Sequence, residues 1–149
     1  MSSRKEISED DMPDHMFRWL EVVGRRLRAE LPVEGLGTFP SLRGAEWRLL
    51  QMVPADGIRI TDLAVRASMT KQATGEFVGR LEAGGFAESV KDPRDQRVRL
   101  VRLTSMGGRA SESVTHAIIT TEKRWRRQVG ARRYDEMKQV LRELARGAS

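Results

Sequence analysis

The most constraining stretch of this chain runs from residue 59 to residue 104, where two short helical patterns are followed by strand-like alternation. The first helical pattern follows Thr61, which occupies the position of an N-cap, and its apolar residues have helical spacing: Leu63, Ala64 and Ala67. The second follows Thr70, another candidate N-cap, and ends at the left-handed stop Gly84-Gly85. Because about three or four residues join them, the two helices predict a helix-turn-helix.

The second helix of a helix-turn-helix lies in the major groove of DNA, with its first turns facing base edges. Its apolar stripe would face the core and consists of Ala73, Phe77, Val78 and Leu81. Gln72 can bond an adenine edge in bidentate fashion, and Lys71 can bond a guanine or a phosphate. The residues of this helix that we expect to contact DNA are Thr70, Lys71, Gln72, Thr74, Glu76 and Arg80.

A polar tip between two β-branched segments follows the second helix and predicts a hairpin. The strands are expected at Phe86–Val90 and Val98–Leu103, with Lys91–Arg97 as the tip. A helix-turn-helix followed directly by a hairpin is a winged helix. Little else is available to pair the arginines of this hairpin, so we expect DNA contacts from Arg94, Arg97 and Arg99. The alternative for Arg94 is a local salt bridge, worth no more than about 1 kcal/mol at an exposed site.

Several of these residues together resemble the MarR family of transcription regulators. The tip Asp92-Pro93-Arg94-Asp95-Gln96-Arg97 matches the D-x-R-x-x-R wing pattern of that family, and Leu103-Thr104 with Gly107 is similar to its wing-to-helix junction. Leu63-Ala64 and Arg80-Leu81-Glu82 fall at matching places. The resemblance covers residues 42–109 most strongly and extends over 12–146.

The resemblance implies a twofold-symmetric dimer that binds DNA, and relatives bind small, often phenolic or anionic, molecules. The sequence departs from the family at Gly75, where a small hydroxyl residue is frequent, and at Glu76, where a basic residue is common. Both positions lie in the expected recognition helix. They put the base preference in question, though not the fold.

Composition narrows the class of protein. A chain of 149 residues with 39% hydrophobic and 32% charged residues is typical of one globular domain. The absence of cysteine excludes disulfides, thiolate metal sites and a cysteine redox switch. No apolar run approaches the roughly 20 residues of a membrane span, so we expect a cytoplasmic protein without a membrane partner. The net charge of +6 comes from the second half of the chain, which is compatible with nucleic acid or with a solvated surface.

The terminal regions predict long helices with unmatched apolar faces. After a flexible segment at 1–9, a helix capped by Asp10 or Asp11, with Pro13 in its first turn, would run to Leu31. A second helix would end at Pro54, before a short strand at 58–60, and two helices would follow Thr104 and meet at Gly130. We expect 10–31 and 105–149 to dimerise and 42–104 to form the DNA-binding lobe.

Other chemistry is sparse. The two histidines, His15 and His116, lack the neighbours of a nucleophile pair or a metal site, and no glycine-rich nucleotide loop is present. We therefore expect no enzyme activity, no metal and no cofactor. The three tryptophans either fill the core or a dimer interface, or line an apolar ligand cleft. The residues expected in such a cleft are His15, Met16, Trp19, Trp47 and Gln51.

The sequence thus predicts a mainly α (α+β) fold, a winged helix-turn-helix with N- and C-terminal dimerisation helices. The expected function is a homodimeric repressor of palindromic double-stranded operators, relieved by a small aromatic or anionic ligand. The alternative is a winged helix used for protein–protein or RNA contact, without operator specificity.

Overall fold

The computed structural model describes residues 13–31, 39, 42 and 44–147. The elements in this part of the chain are α1 (Met16–Glu30), α2 (Gly44–Leu50), α3 (Ile60–Ala67), α4 (Lys71–Ala83), β1 (Ala87–Asp92), β2 (Asp95–Leu103), α5 (Ser105–Val129) and α6 (Ala131–Arg146). The chain divides into two compact units, Met1–Leu31 and Pro32–Ser149. The first unit contributes α1, and the second contributes all the other elements.

The start of α1 differs from the prediction. Asp10 and Asp11 lie outside the described residues, as does the segment 1–9, and Pro13 precedes the helix instead of opening it. The N-cap is His15, whose backbone is extended and whose Nδ1 accepts the backbone N–H of Arg18 at 3.1 Å. A ring nitrogen here replaces the hydroxyl or carboxylate oxygen that usually caps a helix. The predicted start is therefore wrong, whereas the predicted end near Leu31 is confirmed.

The helix-turn-helix consists of α3, a short turn and α4. Ser68 adopts a left-handed conformation at the end of α3, with φ of 53°. Thr70 is confirmed as the N-cap of α4, because its hydroxyl accepts the backbone N–H of Ala73 at 3.1 Å. Gly85, at φ of 77°, provides the left-handed stop.

Three predictions for the segment that precedes the turn of the helix-turn-helix are wrong. Thr61 is not a cap, because α3 already begins at Ile60 and its N-cap position, Arg59, makes no side-chain capping bond. The predicted strand at 58–60 is reduced to a single antiparallel bridge between Ile58 and Val101. The helix expected to reach Pro54 ends at Leu50, followed by a turn.

The wing is a tighter hairpin than the polarity of its sequence suggested. β1 and β2 pair antiparallel, with Ala87 opposite Leu103 and Lys91 opposite Arg99. Pairing continues through an irregularity to Asp92 and Asp95, so that only two residues remain in the turn. The long tip predicted at Lys91–Arg97 is therefore wrong. Polar residues there form strand, because a hairpin projecting into solvent requires no apolar side chains at its distal end.

The core of the second unit is formed where α2, α3, α4 and the base of the hairpin meet. Its least exposed members come from every one of these elements: Leu49, Leu50, Leu63, Val78, Leu81, Phe86 and Val101. Ala110 of α5 joins the same cluster. The helix-turn-helix, the wing and the start of α5 therefore share one hydrophobic core.

The junction between wing and α5 depends on Thr104 and Gly107. The Thr104 hydroxyl donates to the carbonyl oxygen of Gly85 at 2.6 Å and accepts the backbone N–H of Gly107 at 3.1 Å. A methyl group on Gly107 would overlap the carbonyl oxygen of Phe86 and come within 2.9 Å of its carbonyl carbon. The close packing of α5 on Phe86 therefore requires glycine at this position.

Beyond Gly107, α5 turns back at Gly130 into α6, and ion pairs join the two helices. Arg126 donates two hydrogen bonds to the carboxylate of Asp135, which raises the pKa of the guanidinium and lowers the pKa of the carboxyl. Lys138 of α6 donates another hydrogen bond across this helix pair, to Glu122 of α5. Large apolar side chains nevertheless stay exposed on α6: Met137, Val140, Leu141 and Leu144. Over the described residues, no helix has the length and apolar character to span a membrane.

The packing at Gly107 generates a stability prediction. Gly107→Ala should lower the free energy of unfolding by about 1–3 kcal/mol, because the methyl group meets backbone atoms that can move little. Gly108→Ala is the matched control, since its added Cβ meets nothing within 4 Å. That control should raise stability by up to about 1 kcal/mol through helix propensity. Urea unfolding measures both, and equal stability of the two variants would contradict the described junction.

Candidate nucleic-acid interface

Three exposed polar side chains of α4 have no partner in the described residues. Lys71 and Gln72 follow the capped N-terminus of α4, and Glu76 lies one turn further on. All three are exposed. Within the described residues, none of the three side chains forms a hydrogen bond or an ion pair. Their polar groups are therefore available to a binding partner.

Thr74 does not belong to this surface, contrary to the prediction that it faces a groove. Its side chain is fully buried, and its hydroxyl donates to the carbonyl oxygen of Thr70 at 2.9 Å. Helical periodicity places it on the same side as Val78 and Leu81, which belong to the core. A threonine can take this position because the preceding turn satisfies its hydroxyl.

Arg80 has a structural role in addition to the DNA contact predicted for it. Its Nε donates to Glu46 Oε1 at 2.9 Å, and its guanidinium lies 4.2 Å from the centre of the Phe77 ring. This ion pair joins α4 to α2. It also gives a charged partner to the carboxylate of Glu46, which is largely buried and would be costly to leave unpaired. About half of the Arg80 side chain stays exposed, and its contact with DNA remains a prediction.

The tip of the wing is shaped by carboxylates that accept backbone hydrogen bonds. Asp92, which is buried, accepts the N–H of Arg94 at 2.9 Å, and Asp95 accepts the N–H of Arg97 at 3.0 Å. Such short-range bonds from aspartate are typical of tight turns. Arg94 is 87% exposed, and its Nε lies 4.0 Å from Asp92 Oδ1, which leaves only a weak local salt bridge. The carboxylates orient the turn while the guanidinium groups project into solvent.

A like-charged pair lies further down the hairpin. Lys91 and Arg99 are direct cross-strand partners and both are exposed. Three rungs nearer the base, Glu88 and Arg102 form the opposite arrangement, an ion pair of 2.7 Å. Like charges directly opposite each other destabilise a hairpin. The sequence prediction included Arg99 but missed Lys91, because only the pairing register shows that the two side chains are neighbours.

The residues expected to bind a small molecule are divided between the two units. His15 caps α1, and Met16 and Trp19 are exposed on it, with the Trp19 indole N–H bonded to Asp14. Trp47 and Gln51 belong to the second unit and lie in and just after α2. A cleft that combines them remains a prediction.

Gln51 links α2 to α5 through hydrogen bonds of its amide group. Its Nε2 donates to the carbonyl and hydroxyl oxygens of Ser111, at 2.7 and 2.9 Å. Its Oε1 accepts the hydroxyl of Thr115 at 2.8 Å. A groove of about 270 Å³ lies elsewhere, between α5 and α6, and the predicted ligand residues do not line it. The described residues bring together no cluster of histidine and acidic side chains that could hold a metal ion.

Comparison with known proteins finds similarity in structure only. No family model matches the sequence, and no curated protein matches it. A MarR-family transcriptional regulator from Rhodococcus sp. RHA1 aligns with a TM-score of 0.72 and 18% identity, over 97% of this chain and 100% of its own.

Two other solved structures with this fold contain a bound molecule. CouR from Rhodococcus jostii RHA1, bound to p-coumaroyl-CoA, aligns with a TM-score of 0.72 and 19% identity, over 97% of this chain and 99% of its own. A mutant of MepR from S. aureus, bound to an oligodeoxyribonucleotide, aligns with a TM-score of 0.58 and 17% identity. The alignment covers 89% of this chain and 97% of MepR. The chain therefore has the winged-helix fold of MarR-family transcriptional regulators.

Proposed function

We propose that this chain is a MarR-family transcription regulator: a cytoplasmic homodimer, without enzyme activity, that binds palindromic operators and represses transcription from them. The observation that carries the proposal is that Lys71 and Gln72, which are exposed and have no partner in the described residues, belong to the same compact unit as the wing arginines. A structure with this fold and a bound oligodeoxyribonucleotide supports it.

Each part of this surface suits a different feature of DNA. Gln72 can bond an adenine edge in the major groove, where Lys71 can reach a guanine or a phosphate. Arg94 projects from a turn that other side chains hold in shape, so it can enter a narrow minor groove of high negative potential. Arg97, Arg99 and Lys91 add positive charge along the same hairpin, where phosphate contacts contribute affinity without sequence preference.

Dimerisation is supported by the apolar side chains that a single chain leaves exposed. They are concentrated on the terminal helices: Met16, Phe17, Trp19, Leu20 and Val23 on α1, and Met137, Val140, Leu141 and Leu144 on α6. Exposed apolar patches of this kind mark interaction surfaces. A twofold dimer would bury them and present two recognition helices to successive turns of the major groove.

An effector could act through the contact of α2 with α5. The amide of Gln51 uses both its oxygen and its nitrogen in bonds to Ser111 and Thr115, so a ligand that bonded Gln51 would compete with them. This would loosen the DNA-binding lobe from α5 and change the spacing of the recognition helices. CouR with bound p-coumaroyl-CoA supports a small aromatic or anionic ligand for a protein of this fold.

The proposal predicts the symmetry of the bound DNA. Selection of genomic duplex fragments on the purified chain should retain sites with two inverted half-sites whose centres lie about 10 base pairs apart. Gln72→Ala should then change base preference at one position per half-site, by roughly 1–3 kcal/mol. Equal retention of all duplexes, or preferential retention of RNA or of another protein, would contradict operator recognition.

The like-charged pair of the wing predicts effects of opposite sign on stability and on binding. Lys91→Glu should pair with Arg99 and raise the free energy of unfolding by no more than about 1 kcal/mol. The same change should weaken operator binding and lower the slope of log affinity against log salt by about one unit per subunit or more. Arg109→Glu, an equal charge reversal at an exposed site on α5, is the control. A Lys91→Glu protein with unchanged affinity and slope would show that the pair has no part in binding.

A further inference from the structure

The outward face of α4 carries two long side chains and two small residues. At 100° per residue, Gln72, Glu76, Gly79 and Ala83 fall within about 60° of one another, roughly opposite the buried Thr74, Val78 and Leu81. A Cβ added to Gly79 would meet nothing within 4 Å, so nothing in the described chain covers this face. Of these four residues, only Gln72 and Glu76 have side chains long enough to reach the base edges of a duplex placed against this face.

Glu76 is an unexpected residue for such a position. It is exposed, and within the described part of the chain it has neither an ion pair nor a hydrogen bond, so it does not stabilise the fold through a partner. A carboxylate here is repelled by the phosphates of an approaching duplex, which lowers affinity for DNA of any sequence. An acid that costs affinity and contributes no contact to the fold can be retained for discrimination among bases.

The donor and acceptor pattern of the major groove indicates which base a glutamate at this position would select. A carboxylate only accepts hydrogen bonds, so it is repelled by the acceptor groups of guanine and by O4 of thymine. Adenine presents an amine beside the acceptor N7, whereas cytosine presents its N4 amine as its only polar group in the groove. An ionised glutamate is therefore best matched by cytosine.

We propose that Glu76 is a specificity-determining residue that accepts a hydrogen bond from the N4 amine of a cytosine in each half-site. The inference rests on the proposed function and deepens it. Gln72 and Glu76 are four residues apart, a rise of about 6 Å along α4. The cytosine therefore lies within about two base pairs of the adenine contacted by Gln72, since bases are about 3.4 Å apart along a strand.

The test uses the full chain and a duplex carrying its selected operator. Replacing the contacted cytosine with 2-pyrimidinone, which lacks only the N4 amine, should weaken binding of the unmodified protein by about 10-fold or more. Glu76→Gln should reduce this loss to about threefold or less, because a neutral amide accepts a weaker hydrogen bond from the N4 amine than a carboxylate does and so loses less when the amine is removed. The same variant should bind a random duplex more tightly than the unmodified protein does, since one repulsive charge is removed.

Glu112→Gln is the matched control, because Glu112 is an exposed acid on α5 without a partner in the described residues. It should keep the full loss on 2-pyrimidinone. Equal binding of the modified and unmodified operators by the wild-type protein would overturn the inference, and this measurement does not depend on whether any variant folds. A Glu76→Gln protein that keeps the full loss would overturn it as well. A wild-type protein without any operator would instead refute the proposed function.

Discussion

The fold depends on a junction where one threonine hydroxyl serves two segments at once. Thr104 donates to the carbonyl oxygen of Gly85, just after α4, and accepts the backbone N–H of Gly107 in the first turn of α5, while the missing side chain of Gly107 lets α5 lie against Phe86. Phe86 is itself buried in the core that α2, α3 and the hairpin share. The directions of α4, the wing and α5 are thus set at one place, so these elements keep a fixed geometry relative to one another.

Electrostatics at the wing follows from how the acidic side chains are used. Asp92 and Asp95 accept backbone N–H groups of the turn, which leaves the neighbouring guanidinium groups with weak contacts only. Lower on the hairpin, Glu88 neutralises Arg102 but nothing in the described chain neutralises Arg99. With four basic and two acidic residues, the distal part of the hairpin at 91–99 therefore carries a net charge of +2, whereas Glu88 and Arg102 balance at its base. The distal part is also the part best placed to reach a polyanion. The single acid on the face of α4 stands out against this distribution.

The sequence was sufficient where structure is local. The cap Thr70, the stop at Gly85 and the switch to strand periodicity all depend on a few adjacent residues, and the structure confirms them. It was insufficient where tertiary packing or pairing decides. The burial of Thr74 follows from core packing, and the like-charged partner of Arg99 follows from hairpin register. The ligand cleft expected from the sequence combines residues of two units, and it stays a prediction.

Chemical labelling of lysines with and without duplex DNA tests the central claim most directly. Of the lysines in the described residues, Lys71 lies on α4 and Lys91 on the wing, whereas Lys123 and Lys138 lie on α5 and α6. Saturating operator duplex should slow acetylation of Lys71 and Lys91 and leave Lys123 at its rate in the free protein. Unchanged labelling of Lys71 and Lys91 in a complex shown to contain DNA would contradict the assignment of this face as the nucleic-acid interface.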